Sequence, residues 1–117
     1  MTKLSPREVD MRLAALSGWK REGDFIAKTF TFGTFMEGIA FVNDLAAIAE
    51  RLEHHPDVHI RWTTIRVEIQ THDEGGITSY DIRLAAEIER YLHKKRAGEG
   101  AGASRRPRTQ KGAPRAS

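Results

Sequence analysis

The stretch Ile65-Arg66-Val67-Glu68-Ile69-Gln70 decides the fold. A strand sends successive side chains to opposite faces, so Ile65, Val67 and Ile69 share one side while Arg66, Glu68 and Gln70 share the other. One face is buried and the other wet, the pattern of an antiparallel sheet covered on one side only. Upstream, Val58, Ile60 and Trp62 supply a partner strand with a turn near Thr63. Segment 19–32 reads as another hairpin, in which Phe30 and Phe32 alternate with threonines and Glu22-Gly23-Asp24 marks the turn after Trp19.

The covering layer announces itself through three capping boxes, each a Ser or Thr followed three positions later by an acidic residue that satisfies free amides of a helix's first turn. Ser5-Pro6-Arg7-Glu8 opens the first helix, with proline where its missing N–H costs nothing; Val9, Leu13 and Leu16 share a face and Gly18 ends it. Thr34-Phe35-Met36-Glu37 opens the longest, running to about Glu53. It carries two adjoining apolar stripes, Phe35, Ile39, Val42, Ala46 and Ala49 beside Phe41, Leu45, Ile48 and Leu52. Together they span about half the circumference, more than one sheet can cover. The surplus stripe predicts a second copy of the chain, a homodimer or homotetramer. Thr78-Ser79-Tyr80-Asp81 opens the third helix, to about Lys95, with Ile82, Ala85, Ile88 and Leu92 inward. Its last turn holds His93, Lys94, Lys95 and Arg96, which suit the negative end of the helix dipole. The order is helix, two strands, helix, two strands, helix: an α+β fold with a four-stranded antiparallel sheet and three helices on one face.

Composition agrees with one domain. The 117 residues are 39% hydrophobic and 30% charged, with no cysteine, so disulfide, thiolate and cysteine-zinc chemistry are excluded. No apolar run approaches the roughly 20 residues that span a bilayer, and the first residues lack a signal-like apolar core, which predicts a cytoplasmic protein with no membrane partner. The net charge of +3 is unevenly spread. Residues 97–117 hold Arg105, Arg106, Arg108, Lys111 and Arg115 against Glu99, leaving residues 1–96 near neutrality. The domain is therefore placed at 1–96, followed by a disordered basic tail rich in Gly, Ala and Arg, at 97–117. Nucleic acid is not an expected partner beyond weak contact through that tail.

Four of the five histidines fall within nineteen positions: His54, His55, His59 and His72. Imidazole exchanges protons near neutral pH, so the cluster points to acid–base chemistry. Each also has a plainer reading. His54 and His55 end the long helix, where basic side chains meet the last carbonyls before Pro56 stops it. By alternation His72, at the end of the last strand, shares the wet face. Asp81 is a capping residue. Geometry favours chemistry, because a helix end and a later strand end both lead into short connections that can converge on one pocket. A metal is disfavoured: adjacent histidines on a helix point about 100° apart, and the His-x-x-x-His spacing of His55 and His59 is broken by Pro56, so it does not set two imidazoles on one helix face. Gly75-Gly76 lacks the surroundings of a phosphate loop and reads as a turn.

Glu50, three residues, His54-His55-Pro56, five residues, Trp62, nine residues, His72, eight residues and Asp81 together resemble the signature of the pterin-4a-carbinolamine dehydratases. The element order is similar to that family's fold over roughly residues 3–95. The resemblance implies a hydro-lyase that removes water from 4a-hydroxytetrahydropterin to give quinonoid dihydropterin, in recycling of the tetrahydropterin of aromatic amino acid hydroxylases, with no metal or cofactor. By position it makes His54, His55 and His72 the active-site histidines, His54 and His72 for proton transfer and His55 for holding the pterin. Glu50, Pro56, Trp62 and Asp81 become supporting or substrate-binding residues. It departs from the family pattern at His59, where many relatives carry an apolar aromatic. The alternative is a dimerising interaction module that keeps the fold, since relatives in the family bind transcription factors.

Overall fold

The computed structural model describes residues 2–102, with side chains placed for residues 2–96. Helix α1 (Pro6–Leu13) begins at the expected box: Ser5 Oγ accepts from Glu8 N and Glu8 Oε1 accepts from Ser5 N, both at 3.1 Å. It stops at Leu13, short of Gly18. Val9 and Leu13 are its two buried anchors, and the chain then turns through Leu16 N to Leu13 O and Trp19 N to Leu16 O, with Gly18 at φ 86°. Glycine is needed at that left-handed position to swing Trp19 into the core.

Strands β1 (Lys20–Glu22) and β2 (Phe25–Thr31) form the first hairpin around Gly23, and β3 (Asp57–Arg61) and β4 (Thr64–Ile69) the second. The sheet order is β1-β2-β4-β3, antiparallel throughout, so the two hairpins meet along β2 and β4, with Ile26 opposite Ile69 and Phe30 opposite Ile65. The deciding stretch behaves as its alternation requires. Ile65, Val67 and Ile69 are fully buried, and Arg66 and Glu68 lie on the open face. There Arg66 Nη2 donates to Glu22 Oε1 and Arg66 Nε to Glu68 Oε2, both at 2.7 Å. On edge strand β3 the apolar side is only partly covered: Val58 is half-buried and Ile60 exposed. Trp62 lies outside the strand, in the two-residue turn Trp62-Thr63, with φ 52°.

Helix α2 (Phe35–Leu52) is capped by the reciprocal Thr34 and Glu37 pair. Phe41, Leu45 and Ile48 are buried against the sheet, so that stripe faces inward, with Ala49 from the other stripe beside it. Phe35 and Ala46 of the outer stripe are exposed, while Ile39 and Val42 are half-buried. Helix α3 (Ser79–Gly102) buries Leu84, Ala85, Ile88 and Leu92, with Ile82 half-buried. It joins α2 through Arg51 Nη2 to Glu87 Oε1 at 3.3 Å and through the Tyr91 hydroxyl donating to Asp44. It also continues beyond Lys95 as far as Gly102, since no proline interrupts the chain there. The remainder of the segment expected to form the basic tail, 103–117, lies outside the described residues. All three helices contribute to one core on one face of the sheet, with Trp19, Phe30 and Phe41 at its aromatic centre. Among the described residues, no helix is long and apolar enough to cross a membrane.

Candidate active site

The site lies at the end of the sheet where β3 begins and β4 finishes. Helix α2 is terminated by Glu53 in the left-handed conformation, φ 55°, and its amide and that of His54 both return to the helix, His54 N reaching Ala49 O at 3.1 Å. That reversal sends two neighbouring imidazoles to different environments. The His54 side chain is 15% exposed and the His55 side chain 60%.

His54 Nε2 lies 2.5 Å from Asp81 Oδ1, and Asp81 is fully buried in the first turn of α3. Burying a carboxylate is costly unless its oxygens are satisfied. Here the second oxygen, Oδ2, accepts from Thr78 N at 2.7 Å and from Thr71 Oγ1 at 2.9 Å. The amide contact is the reciprocal half of the expected capping box, so Asp81 caps α3 and holds His54 at once. Nε2 is thus the ring nitrogen engaged with Asp81, and Nδ1 is the one that does not face it. The Tyr80 ring stands 5.9 Å from the His54 ring, tilted by 40°, and is exposed.

His55 Nε2 pairs with Glu50 Oε2 at 2.5 Å, one helical turn back, with both side chains open to solvent. Pro56 is half-buried and leads into β3. His72 is carried by a different device from the one its alternation suggests. Strand β4 ends at Ile69, and His72 opens a 3₁₀ turn (His72–Glu74) closed by Gly75 at φ 67°. Thr71 N donates to Gly76 O at 2.9 Å, so the Gly75-Gly76 pair is the turn before α3 and folds the chain back on itself. His72 is exposed, next in sequence to the threonine that binds Asp81.

Trp62 is not beside these groups within one chain. It sits at the tip of the β3–β4 hairpin, 78% exposed, the length of a five-residue strand from His55-Pro56, on the order of 17 Å. His59 joins the open face of the sheet, Nε2 lying 3.3 Å from Glu68 Oε1. The Arg66 guanidinium holds Glu68 below the usual carboxylate range, opposed by partial burial and aided by His59. Thr71 and Tyr80 escaped the sequence reading, because neither hydroxyl nor ring carries a signal until the Gly75 turn brings them to Asp81 and His54. Among the described residues no three histidine or acidic side chains converge as metal ligands.

Residues 2–91 match the profile of a family described as Pterin 4 alpha carbinolamine dehydratase, a span that contains every residue from Glu50 to Asp81 discussed above. The chain belongs to that family. Two relatives provisionally named pterin-4-alpha-carbinolamine dehydratase illustrate how near it stands. One, from Thermosynechococcus vestitus, is 50% identical over 86 residues, 74% of this chain and 90% of its own length. The other, from Roseiflexus sp. strain RS-1, is 44% identical over 91 residues, 78% of this chain and 98% of its own. Among solved structures, a transcriptional coactivator/pterin dehydratase from Brucella melitensis superposes with a TM-score of 0.72 at 31% identity, covering 75% of this chain and 96% of that one. The helix-strand-strand-helix-strand-strand-helix order is thus that of a carbinolamine dehydratase.

Proposed function

We propose that the chain dehydrates 4a-hydroxytetrahydropterin to quinonoid dihydropterin in the cytoplasm, by histidine acid–base catalysis. The observation that carries the reading is the His54–Asp81 pair, a partly buried imidazole held by a fully buried carboxylate at the position the family signature reserves for both. The reaction breaks the carbon–oxygen bond of the carbinolamine. The oxygen takes that electron pair and a proton and leaves as water, while the adjacent ring nitrogen forms the new double bond and a ring N–H gives up its proton. One base and one acid suffice, and no electrons are gained or lost.

His54 serves through Nδ1 and His72 supplies the second proton-transfer group, while His55, steadied by Glu50, holds the pterin. Pro56 fixes the connection that separates these groups from β3. Trp62 acts on the site only if another copy of the chain brings its hairpin tip there, which fits an assembly of two or four chains. The half-open outer stripe of α2, with Phe35 46% exposed and Met36 next to it 60% exposed, is the surface offered for that assembly.

The test generates the carbinolamine with an aromatic amino acid hydroxylase and follows its dehydration by absorbance. His54→Ala and His72→Ala should each lower the rate by about 10²- to 10⁴-fold while remaining folded. No acceleration over buffer by the folded wild-type protein would remove the enzymatic reading and leave the interaction role, for which the same α2 surface is available. Sedimentation showing only monomer at micromolar concentration would remove the assembly.

A further inference from the structure

We propose that Thr71 and Thr78 are positioning residues that fix the proton arrangement of His54. The catalytic consequence rests on the dehydratase reading, whereas the proton arrangement does not. Three hydroxyl and carboxyl groups stand in line behind the histidine: Thr78 Oγ1 is 2.8 Å from Thr71 Oγ1, and Thr71 Oγ1 is 2.9 Å from Asp81 Oδ2. The direction of the hydrogen bonds along this line is determined from its far end. Tyr80 N, a group that can only donate, reaches Thr78 Oγ1 at 3.2 Å. Thr78 is fully buried, so the hydrogen of its own hydroxyl needs an acceptor, and among the described residues Thr71 Oγ1 is the one in reach. The Thr71 hydroxyl has then accepted, and its hydrogen goes to Asp81 Oδ2.

That oxygen also receives the Thr78 amide, again a group that can only donate. With two donors on it Oδ2 acts as an acceptor only, and the arrangement that completes the line has Oδ1 accept as well. Oδ1 then accepts from His54, and the imidazole carries its hydrogen on Nε2 with a bare lone pair on Nδ1. A chain of donors that starts at a backbone amide of α3 thus ends by choosing which nitrogen of His54 is basic. The same logic explains why the two threonines lie on either side of the Gly75-Gly76 turn: the turn brings their hydroxyls together.

The test compares Thr71→Val, Thr71→Ala and Thr71→Ser with wild type, using nitrogen-15 NMR of the His54 ring and steady-state dehydration kinetics. In the wild-type protein the uncharged ring should show a protonated Nε2 and a bare Nδ1. Valine and alanine should give a mixture of the two tautomers and lower kcat about tenfold or more with KM changed less than about threefold, as expected when a histidine loses its fixed tautomer. Serine, which keeps the hydroxyl, should restore both. Alanine provides the readout if the valine variant fails to fold. A wild-type tautomer and kcat in folded valine or alanine variants would overturn the proposal, as would a rise in KM alone, which would make Thr71 a substrate contact. Loss of the tautomer preference in a protein without dehydratase activity would sustain the positioning role and sink the reaction.

Discussion

His54 and His55 are neighbours with opposite surroundings, and the difference dictates how each should respond to change. His54 is backed by a carboxylate that water does not reach, whereas Glu50 and His55 are both more than half exposed, so their pairing is screened and weak as a source of stability. His55→Ala is therefore expected to raise KM by more than it lowers kcat, read from the same dehydration assay. Asp81→Asn is the sharper case. The amide oxygen must take the place of Oδ2 to accept from Thr71 and Thr78, which turns the NH₂ toward His54 and forces its hydrogen onto Nδ1. Activity should fall by about 10²- to 10⁴-fold, with unfolding free energy lowered by about 1–3 kcal/mol in urea titration. The histidines were legible in the sequence because an imidazole announces its chemistry by type, whereas Asp81 read by its spacing as a capping residue and joined them only through the family signature. Thr71 was not legible, because a threonine acquires a role only through what the folded chain places beside it.

At the scale of single elements, beginnings were easier to read than endings. Ser5, Thr34 and Thr78 each stand at the start of a helix because a cap is local chemistry among four consecutive residues. Helix α1 stops early because Trp19 must reach the core, and α3 runs past Lys95 because nothing local halts it. The inward stripe of α2 likewise depended on which face the sheet would meet. Two predictions follow from α2. Thr34→Ala removes the hydroxyl that accepts from Glu37 N while keeping the backbone bond from Thr34 N to Glu37 Oε1, and should cost roughly 0.5–2 kcal/mol in chemical denaturation. Gly38 is where α2 passes over β4: a methyl group there would meet Ile65 Cδ1 at 3.4 Å, ordinary contact, with no room for more. Gly38→Ala should be tolerated or raise the melting temperature, since alanine favours a helix by about 1 kcal/mol over glycine. Gly38→Leu should lower it, by pushing α2 off the sheet.

For the molecule as a whole, acid is the condition most directly set by its charges. Glu68, held low by Arg66, and Asp10, held low by its hydrogen bond with Arg21, have folded-state values below those of the unfolded chain. Such groups stabilise the fold above their unfolded pKa, and that contribution disappears as pH falls through the lowered folded one. Stability measured in urea should therefore drop between neutral pH and the region below the usual carboxylate range. Glu68→Gln should be less stable than wild type at pH 7 yet lose less on acidification; an unchanged slope would show that the Arg66 cluster is energetically idle. The sheet order carries another consequence. Thr31 ends β2 and Thr64 begins its central neighbour β4, with the whole of α2 and β3 between them. At ribosomal speeds of about 5–20 residues per second, β2 waits seconds for its partner while its inner edge is bare. Asp81 follows later still, so the nascent chain passes through an interval in which His54 has been made but has no carboxylate to hold it, and an unpaired strand is open to chaperones or to misfolding.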